Sequence, residues 1–277
     1  MLNNFFSKRK ISSLCSVKPL QSLEKPLHSI RFLLNGKLVE LSEGNFDPTD
    51  SLVTYLRSEE VKLKGTKRAC NEGGCGSCTV IMSSYDPIQK RIKHRAINSC
   101  LMPIGNLHNT SITTIERLTE NTNKLHPIQK AIQKHHATQC GFCTPGIIMS
   151  SLALLLENPE PTNEDIMQYL DGNVCRCTGY RAILEALREF TVDKNPNDSV
   201  ISSNYRDKKD LQNKKNLNKE IVEKFQSDFS PLRSNNKSIS IQYNDHFYSI
   251  PSSFDELVEL KKKNPKSKII IGNTELF

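Results

Sequence analysis

The chain has 277 residues, with 38 Lys plus Arg against 30 Asp plus Glu for a net charge of +8, and only 36% of its residues are hydrophobic. That length predicts one large or two small domains, and the low apolar content predicts that part of the chain lies outside any packed core. No apolar run reaches the roughly 18 residues of a bilayer-spanning helix, and the basic residues are mixed with acidic ones and short of aromatics, which argues against both a membrane and a nucleic-acid partner.

Residues 1–28 read as an N-terminal extension. Its first 23 residues hold no Asp or Glu, four basic residues (Lys8, Arg9, Lys10, Lys18) and five serines. A mitochondrial presequence has this composition, and so does a disordered extension; the expectation is a cytoplasmic protein, with import as the alternative. A secretory apolar core is missing, because Phe5, Phe6 and Leu14 do not form a continuous run. The nine cysteines therefore belong to a reducing compartment, where metal ligation is favoured over disulfides.

Residues 29–118 show short β-type runs. Two of them, 30–34 and 37–41, flank Asn35-Gly36, a pair that supplies the positive φ angles of a type I′ hairpin turn. A short helix is predicted over 50–57, with Leu52, Val53 and Leu56 on one face, and strands over 79–82, 91–97 and 111–115. This is the pattern of a small α+β domain. Across 119–191 the period becomes helical. One helix begins at Pro127, and a second follows the Thr144-Pro145 cap and stops at Asn158-Pro159. A third opens on a capping box of Thr162 and Asp165 and ends near Gly172, and a fourth covers about 179–190, giving a four-helix bundle. Residues 192–237, dominated by Asn, Lys, Asp and Ser, read as a disordered linker. Residues 238–277 return to a globular pattern: a strand over 241–250, a helix over 253–263 and a strand over 269–271. A unit of that size is too small to bury a core alone.

The cysteines fall into two sets of four, with Cys15 left over as a free thiol. Cys70-x4-Cys75-x2-Cys78 and the distant Cys100 have the spacing of a plant-type 2Fe–2S ferredoxin. Three thiolates on one loop wrap a compact anionic cluster. Gly73, Gly74 and Gly76 let the backbone turn sharply and aim N–H groups at its sulfurs. A four-cysteine zinc site is the competing reading, although zinc sites favour paired short knuckles. Cys140-x2-Cys143 and Cys175-x-Cys177 each precede a predicted helix, where the positive end of the helix dipole favours thiolates. Spacing alone leaves this second set open between a cluster and structural zinc. No catalytic acid–base pair, nucleophile triad or phosphate-binding loop is evident.

Three motifs carry a resemblance. They are the stretch from Ala69 to Val80, the stretch from Gln139 to Gly146, and the stretch from Gly172 to Arg181. In that order they resemble the iron–sulfur region of xanthine dehydrogenase, aldehyde oxidase and the other molybdenum hydroxylases. Arg68-Ala69 departs from the family, which usually has a less basic residue followed by glycine. The resemblance implies a ferredoxin-like β-grasp domain followed by a four-helix iron–sulfur domain, then a linker and an incomplete α+β flavin-domain stub. It implies one 2Fe–2S cluster on Cys70, Cys75, Cys78 and Cys100, on the flavin side, and a second on Cys140, Cys143, Cys175 and Cys177, facing molybdenum. Gln139 resembles the residue that contacts the pterin. Ile269, Ile270, Ile271, Gly272, Asn273, Thr274, Glu275 and Leu276 resemble the first strand and loop that contact FAD. The implied function is transfer of electrons from a molybdopterin centre through two clusters to FAD, within an oxidoreductase that is dimeric when complete. Because the molybdenum domains and most of the flavin domain are missing, the chain alone is expected to be inactive and to need those partners. A stand-alone iron–sulfur subunit of a three-subunit enzyme and a ferredoxin-like carrier are the alternatives.

Overall fold

The sheet of the first domain is built around a turn that the sequence specifies. The structure, a computed structural model, describes residues 27–119, 124–192, 208–226 and 238–270. Strands β1 (Ser29–Leu34) and β2 (Lys37–Ser42) pair antiparallel about Asn35 and Gly36, whose φ angles of 51° and 82° are those of a type I′ turn. Helix α1 (Leu52–Arg57) is capped by Ser51 and buries Leu52, Val53 and Leu56. Strands β3 (Thr79–Asp86), β4 (Arg91–Asn98) and β5 (Ser111–Thr113) complete a five-stranded sheet of order β2-β1-β5-β3-β4, in which β5 runs parallel to β1 and the other pairs are antiparallel. Its core gathers Ile30, Phe32, Leu52, Leu56, Val80, Leu107 and Ile112. The expectation of an α+β domain is met. The Asn35 side chain also donates to Thr114 Oγ1 (3.0 Å) and accepts from the Thr114 N–H (2.9 Å), tying the first turn to the end of β5.

The helical half follows. Helix α2 (Pro127–Lys134) opens on a capping box in which His126 accepts from Ile128 and Gln129 accepts from the His126 N–H. Helix α3 (Thr144–Glu157) is buried from Gly146 to Leu156, because it lies between the other helices and the sheet, where Ile81 shares its core. That position explains its nearly continuous apolar sequence. Helix α4 (Asn163–Leu170) carries the expected Thr162–Asp165 capping box. Helix α5 (Arg181–Leu187) starts later than the sequence predicts, because Gly179 and Tyr180 both have positive φ, and it tightens into a 3-10 turn at Arg188–Phe190.

Two regions differ from the sequence reading. The span expected to be a disordered linker contains helix α6 (Lys208–Gln226). Ile221 is buried in the helical core, with Leu217, Val222 and Phe225 packed against it. The Asn218 side chain donates to the carbonyls of Pro159 (2.9 Å) and Phe190 (2.8 Å), and Phe225 meets the His94 ring edge-on at 6.2 Å. A sparse apolar stripe among Asn and Lys suffices once it has a face to cover.

The second difference lies in the C-terminal stub. The single strand expected over 241–250 is a hairpin, β6 (Ile239–Tyr243) and β7 (His246–Ile250), because Asn244 turns the chain at φ 50°. The hairpin does not stand apart: Ile239 and Ile241 are buried in the core of the first domain, and Leu27 bridges to Ile239. The Tyr248 ring lies over Gly105, and its hydroxyl donates to Asn106 Oδ1 at 2.9 Å. Helix α7 (Phe254–Lys263), capped by Ser253, follows as predicted. Ile269 and Ile270 are not in a strand. Ile271 to Leu276, Cys15 and residues 1–26 lie outside the described residues.

Candidate metal centres

The first cysteine loop follows α1 and runs into β3. Asn71, Gly73 and Gly76 take φ angles of 61°, 75° and 66°, so the chain reverses repeatedly between Cys70 and Cys78. Asparagine tolerates the left-handed region and stands in for glycine at the first of these positions. Its side chain also accepts from Arg68 Nε at 2.9 Å. Cys100 arrives from the turn after β4, held there by Ser99, whose hydroxyl donates to the Cys78 carbonyl at 2.6 Å. Asn98 donates to the Gly73 carbonyl at 2.9 Å and fixes the crown of the loop. Cys78 and Cys100 are buried, while Cys70 and Cys75 are half-buried.

The second set assembles at one end of the bundle. Cys140 and Cys143 lead into α3, and Cys175 and Cys177 lie in the loop before α5, with Cys140 and Cys177 exposed, Cys143 half-buried and Cys175 buried. Tyr180, in the left-handed region, turns its hydroxyl back to accept from the Cys175 N–H at 2.7 Å.

In the second set the Cys140 and Cys177 sulfurs lie 3.5 Å apart; elsewhere Cys70 with Cys75, Cys78 with Cys100 and Cys143 with Cys175 are neighbours that influence one another's ionisation. One member of a pair tends to hold the proton while the other becomes thiolate. The bonded Cys100 thiol holds Cys78 down, to about 6, and is itself driven well up by Cys78. The Phe142 N–H and the Cys177 thiol lower Cys140, while Cys140 raises Cys177. Burial and Cys175 push Cys143 up to about 12. For Cys75 and Cys175 burial opposes ionisation, but hydrogen bonds outweigh it, from Ser77 and Cys70 in one case and from Thr178 and Cys143 in the other.

Among the described residues, no three Cys, His, Asp or Glu side chains converge on one ion position.

The two sets are joined. The Val174 N–H donates to the Cys75 carbonyl at 2.9 Å, and the Asn173 amide donates to the Gly76 carbonyl at 3.0 Å. Asn173 is held in turn by Ser150 on α3, whose hydroxyl donates to Asn173 Oδ1 at 2.7 Å. Gly146, in the first turn of α3, lies directly against the Gly76 carbonyl, where a Cβ would overlap the oxygen. Asn173, Ser150 and Val174 were not singled out in the sequence, since nothing in a linear reading marks them as an inter-domain seam. Gln139 is exposed beside Cys140.

Comparison with known proteins follows the same division. A family model for a 2Fe-2S iron-sulfur cluster binding domain matches residues 38–105, and one for a 2Fe-2S binding domain matches residues 114–188. Aldehyde oxidase 3 of Mus musculus is 38% identical over 279 residues, covering 92% of this chain and 20% of the relative. Xanthine dehydrogenase/oxidase of Mus musculus is 40% identical over 262 residues, covering 88% of this chain and 19% of the relative. The chain belongs to the xanthine dehydrogenase/aldehyde oxidase family. It spans about one fifth of the length of these family members and corresponds to their iron–sulfur portion. Among solved structures, quinoline 2-oxidoreductase from Pseudomonas putida 86 is 36% identical, with 59% of this chain and 91% of that chain covered and a TM-score of 0.49.

Proposed function

We propose that this chain is the electron-transfer portion of a molybdenum hydroxylase of the xanthine dehydrogenase/aldehyde oxidase family. It carries electrons singly from a molybdopterin centre, through two 2Fe–2S sites, to FAD. The observation that carries this reading is the hydrogen bond from Val174 to the Cys75 carbonyl, which links a residue adjoining Cys175 directly to a residue of the other cysteine set. Each bound cluster supplies a one-electron iron couple.

The chain's own residues bind, orient and separate. Cys70, Cys75, Cys78 and Cys100 would hold the first cluster and Cys140, Cys143, Cys175 and Cys177 the second, each thiol giving up its proton on ligation. Burial of Cys78 and Cys100 keeps water from the inner side of the first site. Gln139, Phe142 and Val174 are exposed around the second site, which supports a surface that the molybdopterin-bearing domain covers, with Gln139 reaching the pterin. Docking of the β6–β7 hairpin on the first domain supports a flavin domain held against that domain, residues 269–276 supplying its first FAD contacts. The complete enzyme is a cytoplasmic dimer.

Iron and zinc analysis of the purified chain, with low-temperature electron paramagnetic resonance after dithionite reduction, tests this. The expected result is about four irons and two distinguishable reduced 2Fe–2S signals per chain. Stoichiometric zinc, or one signal with two irons, overturns it.

A further inference from the structure

Two hydroxyls occupy equivalent places in the two cysteine sets. Ser77 Oγ lies 3.2 Å from Cys75 Sγ, and Thr178 Oγ1 lies 3.1 Å from Cys175 Sγ. Cys75 and Cys175 are also the two cysteines that the Val174 amide brings together, since it bonds to the Cys75 carbonyl and adjoins Cys175 in the chain. The hydroxyls thus sit on one thiol of each set, in each case the thiol beside the seam.

The direction of each bond follows from its surroundings. A metal-bound cysteine has no proton to give, so the hydroxyl must be the donor once the thiol is ligated. Thr178 is prepared for this: its oxygen accepts from the Tyr180 N–H at 3.2 Å, which leaves the hydroxyl hydrogen for Cys175. Ser77 is buried at 4% exposure, so water does not compete readily for its hydroxyl. A donor to a thiolate favours the state with more negative charge on the sulfur, which is the reduced one.

We propose that Ser77 and Thr178 tune the two clusters separately, each raising the reduction potential of its own cluster and drawing the added electron toward the seam. This rests on the electron-transfer reading above. In the step they bias, one electron enters a site from its neighbouring one-electron carrier and one leaves to the next; no bond is made or broken and no proton moves. Neither residue contacts substrate. Both act through the sulfur of the cysteine they bond to.

The test is a dithionite titration of the reconstituted full chain, followed by electron paramagnetic resonance so that the two signals are read separately. In Ser77→Ala the first cluster becomes harder to reduce, with its reduced-to-oxidised ratio at fixed potential falling on the order of tenfold, about 59 mV for a one-electron couple. The second cluster does not shift. Thr178→Val does the converse, while Ser77→Thr and Thr178→Ser, which keep the hydroxyl, stay close to the parent chain. If an alanine or valine variant fails to assemble its cluster, Ser77→Cys and Thr178→Cys, with weaker donors, give an intermediate shift confined to the same cluster. A parent chain and variants that all hold four irons with unchanged midpoints overturn this proposal and leave the electron-transfer reading standing. A parent chain that assembles no clusters overturns both.

Discussion

The Val174 amide and the Cys75 carbonyl meet at 2.9 Å across the seam between the sheet domain and the helical domain. The Val174 side chain itself is 52% exposed, so the contact belongs to the backbone alone. Val174→Pro therefore removes the donor, whereas Val174→Ala keeps it. The expected cost of the proline variant is about 0.5–1.5 kcal/mol. It should also weaken the magnetic coupling between the two reduced signals, read as reduced splitting in the fully reduced spectrum, with the alanine variant unchanged.

Gly146 and Gly172 form a matched pair for testing how tightly that seam is packed. A Cβ at Gly146 overlaps the Gly76 carbonyl oxygen, a backbone atom that has no rotamer to adopt, while a Cβ at Gly172 meets nothing within 4 Å. Gly146→Ala should cost about 1–3 kcal/mol and Gly172→Ala less than about 0.5 kcal/mol. Thermal melts of the two variants side by side decide this.

Tyr248 gives a pH prediction. Burial raises its hydroxyl from 10.0 to about 12. The folded-state value therefore lies above the unfolded one. The stabilisation is complete below pH 10 and is lost as the pH rises from about 10 to 12, because only the unfolded state releases the proton readily. Docking of the hairpin should loosen over that window. Tyr248→Phe should abolish the pH dependence and lower stability at pH 7 by about 0.5–1.5 kcal/mol, through loss of the bond to Asn106. Limited proteolysis around residues 238–250 from pH 8 to 12 follows it.

Asn218 spans two carbonyls, that of Pro159 just beyond the end of α3 and that of Phe190, the last residue of the 3-10 turn. Asn218→Ala leaves both without this donor at a buried position and should cost about 1–3 kcal/mol. Hydrogen exchange of residues 208–226 should accelerate well ahead of that of α3.

These details mark the boundary of what the sequence makes legible. Asn35-Gly36 and Thr162 with Asp165 announce their own geometry, because turn and cap chemistry acts over two to four residues; Thr144-Pro145 marks the start of α3, but the cap falls one residue earlier, at Cys143, and Thr144 is the first helical residue. The cysteine spacing announces two sites for the same reason. Helix α6 was hidden because Leu217, Ile221 and Phe225 are too few among Asn and Lys to declare a helix without the surface that they cover. The hairpin was misread as one strand because Asn244-Asp245 is a weak turn signal beside Asn35-Gly36. Its docking depends on Gly105 and Asn106, more than 130 residues earlier in the chain, a relationship set by tertiary packing alone. Pairing of the thiols and the hydroxyls of Ser77 and Thr178 are likewise matters of three-dimensional proximity.

The uneven exposure of the thiols has a consequence for their reactivity. Cys78 and Cys100 are 2% and 3% exposed, whereas Cys140 and Cys177 face solvent. In the folded, metal-free chain a thiol-alkylating reagent therefore reaches Cys140 and Cys177 well before Cys78 and Cys100, so the two cysteine sets differ in how easily they are lost to modification.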